Sequence, residues 1–212
     1  MIYIVGGAPR VGKSIVAKKV SEGASATFIS TDDVCHNMSS ALSEEERNKQ
    51  FPLPGFSGTA SENVLTPEKR VELSIVSAKS LEPEIDRLIS EALKKDGSLV
   101  IEGVHLLPEY VQRLLTQYGA ETFHVVFVGL TNVDRVVEGI MKNTSPDNWM
   151  RESDSHVIHQ VAEFVAAFSQ YVEGESKQHH LFYQERTEDF ERDIALLVEQ
   201  LLDRSEHQIL YR

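Results

Sequence analysis

Only one cysteine, Cys35, occurs in the 212 residues, so the chain forms no internal disulfide and offers no cysteine cluster for zinc. No apolar run approaches the roughly 20 residues that a helix needs to cross a bilayer. The opening MIYIVGG has neither the basic stretch nor the long apolar core of a secretory signal. Positive charge is scarce: 21 lysines and arginines stand against 33 aspartates and glutamates, a formal net charge of -12. A surface this acidic argues against wrapping nucleic acid and against a membrane-surface role, but leaves room for a small basic pocket. Repeats and low-complexity segments are missing as well, and the length suits a single domain over residues 1–212. These absences lead to the expectation of a cytoplasmic protein with a small-molecule partner, no nucleic acid and no membrane.

What is present is alternation. Short apolar runs occur at Ile2–Val5, Thr27–Ile29, Leu99–Ile101, Phe123–Val128 and Leu181–Tyr183. Near-continuous Val, Ile and Phe suit strands buried on both faces of a parallel sheet. Between them lie helical stripes: Ile85, Leu88, Ile89, Ala92 and Leu93; Val111, Leu114, Leu115 and Tyr118; Val133, Val136, Val137 and Ile140; Val157, Val161, Phe164 and Phe168; and Phe190, Ile194, Leu197, Val198 and Leu201. Strand–helix alternation of this kind predicts an α/β fold with right-handed crossovers. Pro83 predicts a break or kink near Leu81–Glu82. Three stretches leave the rhythm. Residues 39–66 are polar and carry Pro52, Pro54, Gly55 and Gly58, and a loop this long is usually functional or disordered. Residues 142–153 join two helices, hold the only tryptophan and are a candidate lid. Residues 173–179, EGESKQH, read as a solvated turn.

Residues Gly7-Ala8-Pro9-Arg10-Val11-Gly12-Lys13-Ser14 fit G-x-x-x-x-G-K-[ST], between the first apolar run and a helix predicted from Ser14 to about Ser21. Glycines let backbone N–H groups turn inward around a phosphate, and the helix N-terminus adds the positive end of its dipole. Lys13 is placed for the β- and γ-phosphates and the Ser14 hydroxyl for Mg²⁺. Residues 7–15, Ile15 included, are therefore candidates to hold ATP. The alternative is a glycine-rich strand–helix turn with an incidental Gly-Lys-Ser. An Asn-Lys-x-Asp guanine motif and an Asp-x-x-Gly switch motif are both missing, and NVDR at 132–135 lacks the lysine. The chain is also small for a mechanical ATPase, which leaves a small-molecule kinase.

Two carboxylate sites support that reading. Asp32 and Asp33 follow the second apolar run, and ligands of open parallel sheets bind outside the carboxyl ends of the strands. A carboxylate there suits orienting or deprotonating an acceptor hydroxyl; the alternative is that Thr31 or Asp32 caps the next helix. Glu102 ends the run Leu99–Ile101, where an acidic residue would hold Mg²⁺ or orient the attacking group, or would simply be a solvated strand end.

The strings IVGGAPRVGKS, STDDV and SLVIEGVHLLP resemble the 2-phosphoglycerate kinase family and its relatives among adenylate-kinase-like P-loop kinases, in order and spacing over roughly residues 1–140. The resemblance implies a three-layer fold with a five-stranded parallel sheet, Mg-ATP as phosphoryl donor and a short mobile lid. It gives Lys13 and Ser14 the ATP and magnesium roles, Asp32 the acceptor-side carboxylate and Glu102 the strand-end acid. His105 would line the acceptor pocket, unless it only closes a turn, and Arg186 would lie near the adenine. Where the family carries an arginine shortly after the strand-two aspartate, this chain has Cys35. An arginine fork suits an anionic acceptor, so its replacement points to an acceptor less anionic than phosphoglycerate.

The remaining candidates are Arg151, with Lys142, as the cation of the lid; Trp149 as a cover over nucleotide or a shield of the lid hinge; and Arg10, facing solvent or lid. His179-His180 reads as surface, since neighbours at a strand start point to opposite faces. SEEER at 43–47 reads as a solvated helix face. Functions that remain open beside the 2-phosphoglycerate-kinase-like one are a nucleoside or nucleotide kinase, a zeta-toxin-like kinase of nucleotide sugars, and a nucleotide-binding regulator with little turnover.

Overall fold

The computed structural model describes residues 1–56, 65–143, 150 and 153–203. Among them, five strands form one parallel sheet flanked by helices: β1 (Ile2–Gly7), β2 (Thr27–Ser30), β3 (Leu99–Gly103), β4 (Phe123–Gly129) and β5 (Tyr183–Glu185), in the order β2-β3-β1-β4-β5. The apolar runs are strands because every residue of β1, β3 and β4 is buried, as a sheet covered on both faces requires. The last strand begins at Tyr183, later than expected; Leu181 is buried but lies before it.

The connections are α1 (Lys13–Ala24), α2 (Thr31–Ser40), α3 (Glu44–Gln50), α4 (Pro67–Lys94), α5 (Pro108–Tyr118), α6 (Val133–Lys142), α7 (Ser155–Gln178) and α8 (Phe190–Leu202). Helices α1 and α8 pack on each other and on the sheet, while α7 gathers α4, α5 and α6 and covers β4 and β1. β1 lies at the centre, so its carboxyl end, and the loop that leaves it, sit between β3 and β4.

Several expectations needed correction. Pro83 does not end α4, which runs on through Lys94. The buried stripe Ala78, Leu81, Ile85 and Ile89 spans the proline, and tertiary packing of that face outweighs the hydrogen bond a proline removes. Residues 173–178 are no turn but the last turns of α7. Val172 and Ser176 are buried there, Lys177 pairs with Glu173 at 2.6 Å, and Gly174 is tolerated. His179 and His180 accordingly follow a helix and do not start a strand; His180 has φ 56°. Segment 39–66 is not wholly irregular: α3 lies within it, capped by a reciprocal Ser43–Glu46 capping box, and none of its residues is buried, as the SEEER reading anticipated. Helix α1 also starts one residue earlier and runs three residues longer than expected.

Candidate active site

The phosphate-loop residues run from the end of β1 into α1. Gly12 is the N-cap of α1, in the left-handed region at φ 96°, and no side chain caps the helix. Among the described residues no backbone carbonyl accepts from the amides of Val11, Gly12, Lys13 or Ser14. The first turn therefore presents unsatisfied donors and the positive end of the helix dipole together. Arg10 is left-handed at φ 62° and half-buried, and burial holds its guanidinium below the ordinary arginine value. Ile15 is exposed.

Lys13 is 6% exposed. Its ammonium donates to the Ala8 carbonyl at 2.5 Å, across the loop. Burial pushes its pKa down, and the charges of Glu102 and Asp32 partly offset that. The two carboxylates thus favour the charged form that burial disfavours.

Glu102 reaches the loop through strand register. In the sheet it lies between Val5 of β1 and Ser30 of β2. Its Oε1 accepts from Ser14 Oγ at 3.2 Å and from Ser30 Oγ at 3.1 Å, and the residue is 5% exposed. Two hydroxyls on one buried carboxylate oxygen form a donor set made only of hard oxygens, the kind that suits Mg²⁺ sharing its shell with phosphates and water. Among the described residues no cluster of three or more His, Cys, Asp or Glu is placed to hold a metal ion.

Ser30 rather than Thr31 or Asp32 caps α2, its Oγ accepting from the Asp32 amide. The carboxylate of Asp32 is thereby left uncommitted as a cap; its side chain is 74% exposed, 3.7 Å from His105 Nδ1. Asp33 is exposed as well. His105 is 9% exposed, and its Nδ1 lies 2.9 Å from Thr31 Oγ1. Burial lowers its pKa to about 4, with the Asp32 charge opposing and the Lys13 charge assisting; the ring is neutral at pH 7. Gly103 has φ 149°, and a Cβ there would lie 1.7 Å from Thr31 Oγ1. Only a glycine lets Thr31 approach to meet the histidine.

Lys13, Ser14, Asp32, Glu102 and His105 thus converge at the carboxyl ends of β1, β2 and β3. Arg186 is buried against the back of the loop, its Nη1 donating to the Val11 carbonyl at 2.8 Å. Lys142 ends α6, exposed and paired with Glu138 at 3.0 Å. Arg151 and Trp149 lie outside the described residues. Sequence reasoning missed Ser30 and Asp193, the latter a buried partner of Arg186 at 3.2 Å, and read Thr31 only as a candidate cap. For Ser30 the signal was legible, a serine followed by two aspartates at a helix start; for Asp193 there was none.

No family model and no curated protein matches the chain. Among solved structures, dephospho-CoA kinase from Campylobacter jejuni resembles it with a TM-score of 0.47 at 15% identity, over 94% of this chain and 96% of that one. A gluconokinase from Sinorhizobium meliloti 1021 does so with a TM-score of 0.37 at 16% identity, over 83% and 95%. An uncharacterized protein from Eubacterium ventriosum ATCC 27560 gives 0.46 at 12%, over 95% and 97%. Likeness at this level lends this chain neither an activity nor a substrate.

Proposed function

We propose that this chain is a Mg²⁺- and ATP-dependent phosphotransferase that acts on a small-molecule acceptor. One observation carries the reading: a G-x-x-x-x-G-K-S loop leads from a buried strand into a helix without a side-chain cap, its serine donates to a buried acid from a neighbouring strand, and the charge of that acid acts on its buried lysine. Positioning and charge neutralisation are most of what phosphoryl transfer asks of a protein.

In this reading the loop amides and the Lys13 ammonium hold the β- and γ-phosphates. Ser14 and Glu102 hold the magnesium ion, which when bound spreads the charge of the phosphate oxygens. Asp32, exposed at the acceptor side, orients the attacking hydroxyl and takes up its proton. His105 stays neutral and fixes Thr31, which keeps the start of α2, and so Asp32, in place. The lid role of Arg151 belongs to the same proposal.

The test is an acceptor screen that reads ADP release from Mg-ATP, with glycerate 2-phosphate, nucleosides, nucleotides and nucleotide sugars in the panel. Transfer to one class names the acceptor among the four. Asp32→Asn should then lower kcat about tenfold to a thousandfold with ATP-analogue affinity unchanged. A tight nucleotide complex with no transfer to any acceptor would instead identify a nucleotide-binding regulator.

A further inference from the structure

Arg186 follows β5, and its backbone N–H donates to the Gly129 carbonyl at 2.9 Å, which anchors it to the end of β4. Its side chain then crosses to the phosphate loop, far away in sequence. Nη1 donates to the Val11 carbonyl at 2.8 Å, and Nε donates to Asp193 Oδ2 at 3.2 Å. Asp193, on α8, is 4% exposed and also accepts from the Thr187 amide at 2.6 Å and the Thr187 hydroxyl at 2.8 Å. The guanidinium carbon lies 4.1 Å from the centre of the Phe190 ring. The residue is 8% exposed, so it offers no open face on which a base would stack.

We infer that Arg186 is a positioning residue of the phosphate loop: it holds the Val11 carbonyl outward so that the Gly12 amide is directed at a bound polyphosphate. The geometry follows from the peptide plane. The chain has no cis peptide bond among its described residues, and in a trans peptide the C=O and the following N–H point in opposite directions. A Val11 carbonyl held toward Arg186 therefore turns the Gly12 N–H away from it. A flipped peptide would put a carbonyl dipole where the loop needs a donor.

Other anchors of the loop act on neighbouring peptides: Lys13 Nζ donates to the Ala8 carbonyl, and the Gly12 carbonyl accepts from the Ile15 and Val16 amides. Gly12 is left-handed, and no side chain caps α1. A Cβ on Gly12 would come 3.2 Å from Arg186 Nη1, 3.1 Å from Ile194 Cδ1 and 3.1 Å from Phe190 Cε2. The clamp thus fits against a bare Cα, and the α8 end of the chain becomes part of the nucleotide site without touching nucleotide. Asp193 offsets the cost of burying the guanidinium, which would otherwise be a desolvated charge.

The inference rests on the proposed phosphotransferase for its ligand, but the loop shape is testable without one. Arg186→Met and Arg186→Lys are compared with wild type in two measurements. The first is hydrogen exchange, with no ligand present, at the amides of Ile15 and Val16, which donate to the Gly12 carbonyl at 3.1 and 3.2 Å. The second is calorimetric binding, with Mg²⁺, of inorganic pyrophosphate and of non-hydrolysable adenosine and guanosine triphosphate analogues. In Arg186→Met, exchange at Ile15 and Val16 should rise as Gly12 loosens, and all three ligands should weaken together by about tenfold to a hundredfold, the scale of losing one charged hydrogen bond. Arg186→Lys should recover part of both.

A folded Arg186→Met with wild-type exchange or wild-type polyphosphate affinity would overturn the clamp. A changed ratio of adenosine to guanosine analogue would overturn it too, because Arg186 would then be touching the base. Wild-type protein that binds no polyphosphate would sink the phosphotransferase reading instead, leaving the exchange result to decide the loop geometry alone. Should Arg186→Met fail to fold, Asp193→Asn, which keeps the arginine but loosens it, takes its place in the same measurements.

Discussion

Lys13 and Glu102 are 6% and 5% exposed, whereas the side chain of Asp32, at the same edge of the sheet, is 74% exposed. The proposed nucleotide side is built from β1, β2 and β3 and the two helices α1 and α8. Its polar groups are buried and tied to one another: Ser14 and Ser30 to Glu102, Arg186 to Val11 and Asp193. The proposed acceptor side is built from α2 and α3, and α3 has no buried residue. The difference teaches where precision is held. Phosphate groups are the same for every nucleotide, so their site can be fused to the core. The carboxylate proposed to meet the acceptor is exposed on α2, whose only buried residue is Thr31, so that side is freer to vary.

The contrast is broken most severely at Lys13. Lys13→Met removes the loop cation but keeps its apolar stem, so transfer should fall by about a thousandfold. The melting temperature should stay within a few degrees, since burial already disfavours that charge. Steady-state turnover with a parallel thermal melt checks this; a large loss of stability with little loss of turnover would mean the lysine serves the fold.

Glu102→Gln comes next. It keeps shape while replacing the charged acceptor of two hydroxyls by a neutral amide. The magnesium requirement should rise about tenfold to a hundredfold, and nucleotide binding without magnesium should change little. A titration of turnover against Mg²⁺ separates these.

His105 sharpens the comparison from the pH side. Its folded-state pKa of about 4 lies below the ordinary 6.5 because of burial. Between those values the unfolded chain binds the extra proton, so the stabilisation is complete above about pH 6.5 and is lost as pH falls toward 4. The loss should be on the order of 3 kcal/mol. Urea melts of wild type and His105→Asn between pH 7 and pH 4 should converge in acid; parallel curves would exclude the histidine as the cause.

Ser43→Ala, on the acceptor side, gives the smallest effect. It removes the capping box of α3, and exchange at the α3 amides should rise about threefold to tenfold. Global melting should not move, because none of the helix is buried. A shifted melting temperature would show that α3 is tied to the core after all.

How much of this was legible depends on how local the cause is. The phosphate loop could be read because every part of it, strand, glycines, lysine and helix start, lies within residues 2–24. The buried runs and helical stripes were equally local, since period 2 and period 3.6 are written in neighbouring residues. Asp32 and Glu102 could be proposed from their strand-end positions. That Ser30, not Thr31, caps α2 was within reach and was missed, because serine, threonine and aspartate stand side by side and all favour that place.

Residue order by itself determined the apolar strands β1 to β4 and the buried helical stripes, because these follow from backbone sterics and short-range periodicity. Only the tertiary structure decided that Pro83 stays inside α4 and that residues 173–178 continue α7, since burial of a helix face outweighs local propensity. It alone brought Glu102 between Ser14 and Ser30, because register across β1, β3 and β2 is set by how whole strands pack. It alone set Arg186 against the Val11 carbonyl and Asp193, because a guanidinium finds its carbonyl and carboxylate partners only after α8 has packed on α1.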